Sequence, residues 1–559
     1  MPALRPEHFG LTARYKEIKK LCDYFCGKQY DGRPDWWAGT DGSGKKVALR
    51  DRKPCVIYPL PKAAVQQVVR FTYGEGRFPT VTVKPSDEGS SLLGLTISDD
   101  QAEQLTQFVS DLIEASRLKS KARAAMAMGL SARTAVAFAC LRNGRIEFEL
   151  PQAQDCWPTF RDDHPGNEVT ELVWSYQFDK LIDDPNRGPT YVRHWFRRDI
   201  TETEFVVYKD VPVEPGKAPD WIRDNEKTQA HGFGFCPVIW TRNLMVDASS
   251  GDLDGVGLYE DLLCEFDALN FALSQRHRGV HYLGIPQPYE TGVEEDDGPQ
   301  ADMVTSRRGY SAAGEQPLGQ VTETARKMSP DEIWSYRGEK VSLGLLETTG
   351  KAFEVATNHV TDIRGRALEA MSVVLVNAAD VASQEPGNRE MSAKFLALAY
   401  APLLALVDDL RQCWWPYSLE AMISMALRIV HALGGKGILI PRAAEIAKLL
   451  DSFYVTTDQG VIWLPPKMTP LWGDYFSPSN AEIKEGVETA ATAKEKGLVQ
   501  QATATKYVAS YFDVQNVDSE VEELAAEAET KRQEALEDMQ ATAKTKSPEF
   551  GAGPKEPKP

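Results

Sequence analysis

The chain is 559 residues long, 42 % hydrophobic and 26 % charged, too long for a single core and too apolar for a disordered polymer. Its formal net charge of −18 argues against a protein that grips nucleic acid tightly, because phosphate contacts take Lys and Arg. The same charge suits a surface that DNA must pass without sticking, or solubility alone, and does not separate the two.

Length sets an expectation of roughly three or four domains. Met1 to Arg5 is not followed by an apolar run, so no secretory signal is expected. The longest apolar, charge-free stretch, residues 395–407, includes Pro402 and as a helix covers only about 20 Å, too short for a bilayer. The eight cysteines (Cys22, Cys26, Cys55, Cys140, Cys156, Cys236, Cys264 and Cys413) form no CxxC pair and no disulfide framework, which points to a reducing cytoplasm. Cys22 and Cys26 share a helix face with no further ligands nearby, and read as core packing rather than a metal site.

Apolar residues at Leu11, Tyr15, Ile18, Leu21 and Phe25 predict a helix over 11–30, followed by a Gly-rich loop, GTDGSGKK. Residues 61–75 and 98–127 also read as helices, and 129–150 as a helix followed by a strand, with IEFEL alternating. Strand signals follow over 169–245: VTELVWSYQF, PTYVRHWF, TEFVVYK and CPVIW. The first block is therefore mixed α+β. A long helix over 255–283 puts Leu258, Leu262, Leu269 and Leu273 on one stripe with Phe266 beside it, a rod of roughly 40 Å. Residues 285–347 are rich in Pro, Gly and charge around a strand-like KVSLGLLE, and a second long helix spans about 350–371. The pair reads as two antiparallel struts joined by a small distal module. Helical patterning breaks at Pro386-Gly387, resumes over 391–433 with kinks expected at Pro402 and Pro416, and gives way to a strand-like VIWLP. Residues 481–545 read as helical with breaks at Gly497 and 512–518, and the last fourteen residues as a disordered tail. There is no internal repeat.

Catalytic motifs are weak. Residues 39–46 approach a phosphate-binding loop, but Lys46 stands where the magnesium-ligating Ser or Thr belongs, so a plain loop is the reading and no ATP-driven motor is expected. His277 and His281 have metal-ligand spacing without an intervening Glu, and read as surface or subunit-contact residues. No Gly-x-Ser-x-Gly elbow occurs, and carboxylate pairs such as Asp408-Asp409 and Glu522-Glu523 arise freely in an acidic helical protein. No catalytic residue, metal or cofactor is assigned.

Four segments in order carry a family resemblance: HGFGFCPVIWTRN (231–243); GVGLYEDLLCEFDALNFALSQRHRGVHYLGIP, beginning at Gly255; the helix–loop–kinked helix of 350–433; and residues 472–527 with Pro-x-Asn, Gly-Leu-Val and an acidic close. Together the chain resembles the portal proteins of tailed bacteriophages, siphophage type, over nearly its whole length. The resemblance implies a largely helical α+β portal fold. Its parts are a wing (1–250 and 391–475), a stem (251–284 and 348–371), a clip (285–347), a tunnel loop (372–390), a crown (476–545) and a tail (546–559). It also implies a twelve-subunit ring, a head–tail connector at one capsid vertex of the virion, assembled in the host cytoplasm. Double-stranded DNA, bound without sequence specificity, would be packaged, retained and ejected through it. The partners implied are the terminase large subunit, the major capsid and scaffold proteins and a head–tail adaptor; no membrane is among them.

On that resemblance the second stem helix lines the lumen, which makes Lys351, Arg364 and Arg366 candidates for a basic ring. Arg364 and Arg366 lie about 200° apart around a helix, so one is expected in a salt bridge, with Asp362 or Glu369 as partner. The small, polar tunnel-loop residues Ala379, Asp380, Ser383, Gln384 and Asn388 are the other DNA-channel candidates. The competing reading is a different virion or scaffold protein that uses its acidic helical C-terminus for protein contacts and never meets DNA.

Overall fold

The structure is a computed structural model describing residues 13–31, 39–40, 46–47, 55–85, 97–164, 168–184, 188–215, 217, 219–244, 252–283, 287–291, 342–346, 351–375, 397–457, 460–476, 480–509, 521, 523–527 and 529–535. It is a mixed α+β protein of helices and antiparallel sheets. The chain divides into two compact units: residues 1–375 with 402–473, and residues 376–401 with 474–559.

The first unit opens with α1 (Ala13–Cys26), which buries Ile18, Leu21 and Tyr24 on one face. Strands β1 (Gly39–Thr40) and β2 (Lys46–Val47) pair in a minimal antiparallel ladder. Helix α2 (Leu60–Tyr73) begins with Pro61, where the missing N–H costs nothing. It leads to β3 (Thr80–Val83). Helix α3 (Asp99–Ala115) is started by a reciprocal cap: the Gln101 N–H donates to Ser98 Oγ, and the Ser98 N–H to Gln101 Oε1. The single helix expected over 98–127 is in fact two. Arg117 takes a left-handed φ of 53°, and α4 (Leu118–Ala132) starts anew.

A strand not anticipated from sequence follows. Strand β4 (Thr134–Arg142) is buried along most of its length and turns through Asn143-Gly144 into β5 (Arg145–Glu149). Both turn residues have positive φ, 49° and 73°, the two-residue hairpin geometry that Asn-Gly favours. A second, fully antiparallel sheet contains β6 (Cys156–Phe160), β7 (Val169–Asp184), β8 (Gly188–Ile200), β9 (Glu204–Val207), β10 (Val211–Pro212) and β11 (Gln229–Ala230). Strand β12 (Val238–Arg242) returns to flank β4. Val136, Phe138 and Val238 from the first sheet interdigitate with Cys156, Leu172 and Ile200 from the second, forming the core between them.

The long helix expected from residue 255 begins later. Residues 254–260 commit their polar groups elsewhere. Asp254 receives a bidentate pair from Arg14 (2.6 and 2.8 Å) and the Thr134 hydroxyl (2.9 Å). The Val256 N–H donates to Asn243 O (2.8 Å), the Leu258 N–H to Leu130 O (2.9 Å), and the Tyr259 hydroxyl to Leu21 O (2.9 Å). Helix α5 (Leu263–Leu283) therefore starts only after a short 3-10 turn at Glu260–Leu262. Strands β13 (Gln287–Thr291) and β14 (Ser342–Leu346) pair antiparallel, and α6 (Lys351–Ala370) runs back along α5. Gly279 near the end of α5 meets the Phe353 ring near the start of α6, the close approach a side chain there would prevent.

Both kinks expected from proline fall where the helix changes. Pro402 sits in the first turn of α7 (Ala401–Trp414). Pro416 lies in a five-residue π turn, Trp415–Leu419, before α8 (Glu420–Ala432), because its absent N–H breaks the regular ladder. Helix α9 (Ala443–Leu449), the hairpin β15 (Tyr454–Thr457) with β16 (Gly460–Trp463), and β17 (Met468–Leu471) complete this unit. Strand β17 pairs with β3 from the other end of the sequence. In the second unit, α10 (Asn480–Glu495) closes at Gly497, whose φ of +68° lets its N–H reach Lys494 O, and α11 (Gln501–Ala509) follows.

Two glycines of the first unit predict substitutions of opposite sign. A Cβ at Gly129 would overlap the fully buried Trp414 ring, so Gly129→Ala should lower stability by about 1–3 kcal/mol. A Cβ at Gly365 meets nothing within 4 Å, on an exposed helical position, so Gly365→Ala should raise stability by about 0.5–1 kcal/mol. Urea unfolding of the two variants beside the parent checks both signs.

Candidate functional site

The α5–α6 pair holds the helical candidate residues, and its anchorage is polar. Asp267, Asn270 and Ser274 fall at i, i+3 and i+7, so they share one face of α5. Asp267 Oδ1 accepts from the hydroxyls of Tyr24 (2.8 Å) and Tyr30 (2.9 Å). Asn270 Nδ2 donates to the Tyr30 oxygen (2.9 Å), while its Oδ1 accepts the Tyr58 N–H (2.8 Å). Ser274 Oγ accepts the Val56 N–H (2.9 Å) and donates to Asn270 O (2.8 Å). Asn270 and Ser274 are buried, and burial pushes the Tyr30 phenol well up, so the tyrosine stays protonated and donating.

This face displaces the leucine stripe expected from sequence. The buried positions run Tyr259, Leu263, Phe266, Asn270 and Ser274, with Leu269 alongside. Leu258 and Leu262 precede the helix, and with Leu273 they stay half-exposed. On α6 the buried stripe is Val360, Ile363 and Ala367. The opposite face carries Val355, 69 % exposed, and the charged positions Glu354, Asp362, Arg366 and Glu369.

The candidate basic residues separate along and around α6. Lys351 is its first residue, and nothing of its side chain is described. Arg366 is exposed and its Nε lies 3.6 Å from Asp362 Oδ2, one turn back. Arg364 flanks the buried stripe, and its Nε is buried without an acceptor among the described residues. The loop candidates Ala379, Asp380, Ser383, Gln384 and Asn388 lie outside the described residues.

The remaining motifs resolve simply. Lys46 pairs in a strand with Thr40, whereas a phosphate loop needs its Lys-Ser or Lys-Thr step to open a helix. His277 is exposed on α5; His281 lies one turn on, its side chain undescribed. Among the described residues no cluster of three potential metal ligands occurs, and no helix is long and apolar enough to cross a membrane. Burial pushes the Cys22 thiol up to about 12, as for a packed side chain, but Cys26, expected to pack with it, is exposed at the end of α1. No protein-family model matches the chain, and no curated protein matches it.

The polar face of α5 yields a prediction. Asn270→Ala strands the Tyr58 N–H and removes a donor from Tyr30, and should cost about 1–3 kcal/mol of stability. It should also increase proteolytic cleavage within residues 55–59, which α5 holds through those bonds. Unchanged stability and an unchanged digestion pattern would show that the face carries no load.

Proposed function

We propose that this chain is the subunit of a closed ring that conducts double-stranded DNA, the portal of a tailed-phage head. The observation that carries the reading is the α5–α6 pair. These helices of 21 and 20 residues run antiparallel from the sheet core to a two-stranded ladder. They leave Val280 and Val355 at 54 % and 69 % exposure. A lone chain keeps that apolar surface in water. Identical copies related by rotation cover it from both flanks, and rotation closes the ring.

In this reading α5 and α6 form the stem and the β13–β14 ladder the clip. Twelve copies sit at one capsid vertex and meet the terminase, the capsid and scaffold proteins and a head–tail adaptor. Arg366 presents the lumenal charge. Its exposed i,i+4 pair with Asp362 is worth only a few tenths of a kcal/mol, so a passing phosphate can compete for the guanidinium. Arg364, half-buried beside the apolar stripe of the helix, takes the subunit contact. The contacts read only the backbone, and the acidic protein around them prevents tight capture.

Negative-stain imaging of the purified chain tests the reading: rings with a central channel are expected. Single chains or irregular aggregates would favour a scaffold-type protein instead. Arg366→Glu should leave rings intact and alter DNA packaging or retention, whereas Arg364→Glu should weaken the ring. Two variants that assemble and package like the parent would remove the basic ring from the account.

A further inference from the structure

Away from α5 and α6, a cleft of about 690 Å³ opens between the start of β6, the β7–β8 ribbon and α1. Its walls carry four aromatic rings, Tyr15, Trp174, Tyr176 and Trp195, and its floor carries Gln154 and Asp155. The floor is rich in acceptors. Gln154 Oε1 is buried and receives no hydrogen bond from a described residue, while its amide donates to Gln152 Oε1 at 2.9 Å. Desolvation alone pushes the Asp155 carboxyl up to about 7, with no basic group offsetting it. Arg193, the one cation of the lining among the described residues, is exposed and paired with Asp179 at 3.2 Å. Nearby Arg198 lies 3.5 Å from Glu149 and over the Trp174 ring, and its Nε is buried without an acceptor among the described residues.

From these features we infer that the cleft binds an organic cation of the ammonium or guanidinium type, its charge on Asp155, its N–H on Gln154 Oε1 and its stem between the aromatic rings. An anion would face two acceptors, the Asp155 carboxylate and the Gln154 side-chain oxygen, and a purely apolar ligand leaves both unpaired in a drier site. A cation supplies a counter-charge for the carboxylate, a donor for the amide oxygen, and a positive charge that the ring faces favour. The same chemistry is offered by a free polyamine or by the Arg or Lys side chain of a protein partner.

Calorimetric titration of the full chain with spermidine, and separately with N-acetyl-arginine methylamide, tests this at pH 8. Saturable binding of one molecule per chain is expected. Spermidine binding the tighter identifies a free polyamine; the arginine derivative binding the tighter identifies a partner's side chain. Asp155→Asn keeps the shape and removes the charge, and should weaken binding by about tenfold or more. Its thermal midpoint should be equal to the parent's or higher, because the buried charge is gone; a purely structural aspartate would give a lower one. Trp195→Leu should weaken binding by roughly two- to thirtyfold. No saturable binding of either probe up to about 10 mM, or unchanged binding in Asp155→Asn, would overturn the inference.

Discussion

Asn243 is the point at which the first unit is tied together. It is fully buried, and its four polar groups are committed to three different segments. Its side-chain nitrogen donates to Val256 O (2.6 Å), and its side-chain oxygen accepts from Trp414 Nε1 (2.9 Å). Its backbone N–H donates to Arg133 O and its carbonyl accepts from Val256. One residue at the end of β12 thus fixes the lead-in to α5, the end of α4 and the end of α7. Glycine at 129 and 255 permits the approach, since a Cβ at either would collide with Trp414 or with the Asn243 backbone. Leaving any of these buried groups unpaired costs more than the bond itself contributes, so the junction behaves as a unit.

That junction determines what α5 can do. With residues 254–260 pinned, the helix must leave the core in one direction and with one face inward. The inward face is half polar, and Asp267, Asn270 and Ser274 take up hydrogen-bonding groups of Tyr24, Tyr30, Val56 and Tyr58. The apolar side chains that a solitary helix would have buried, Leu273 and Val280 among them, are turned partly outward. In the proposed ring, a neighbouring copy covers the apolar surface that the chain leaves exposed.

Much of this was legible in the sequence because it is local. Hydrophobic period located the helices, alternation located β7, β8 and β12, and proline located the π turn at Pro416. The misses have physical causes. Strand β4, TAVAFACLR, is buried on both faces and does not alternate, although Asn143-Gly144 signalled the hairpin after it. The start of α5 was placed eight residues early because residues 255–262 look helical, while tertiary hydrogen bonds claim their backbone. The Arg366–Asp362 spacing was readable as i,i+4, but the burial of the Arg364 Nε depends on tertiary packing, which pattern reasoning along one helix does not reach. The aromatic cleft was invisible for the same reason, since its residues come from α1, the 3-10 turn before β6, β7 and β8.

The central claim, that the outward face of α5 and α6 is covered by further copies of the same chain, is tested most directly by the mass of the particle. Native mass spectrometry of the full chain, with hydrogen exchange on the same sample, should give a closed oligomer near twelve times 62.1 kDa. Amides along both helices should be protected in it. A single species at 62.1 kDa with both helices exchanging freely, unchanged when capsid protein is added, would contradict the account.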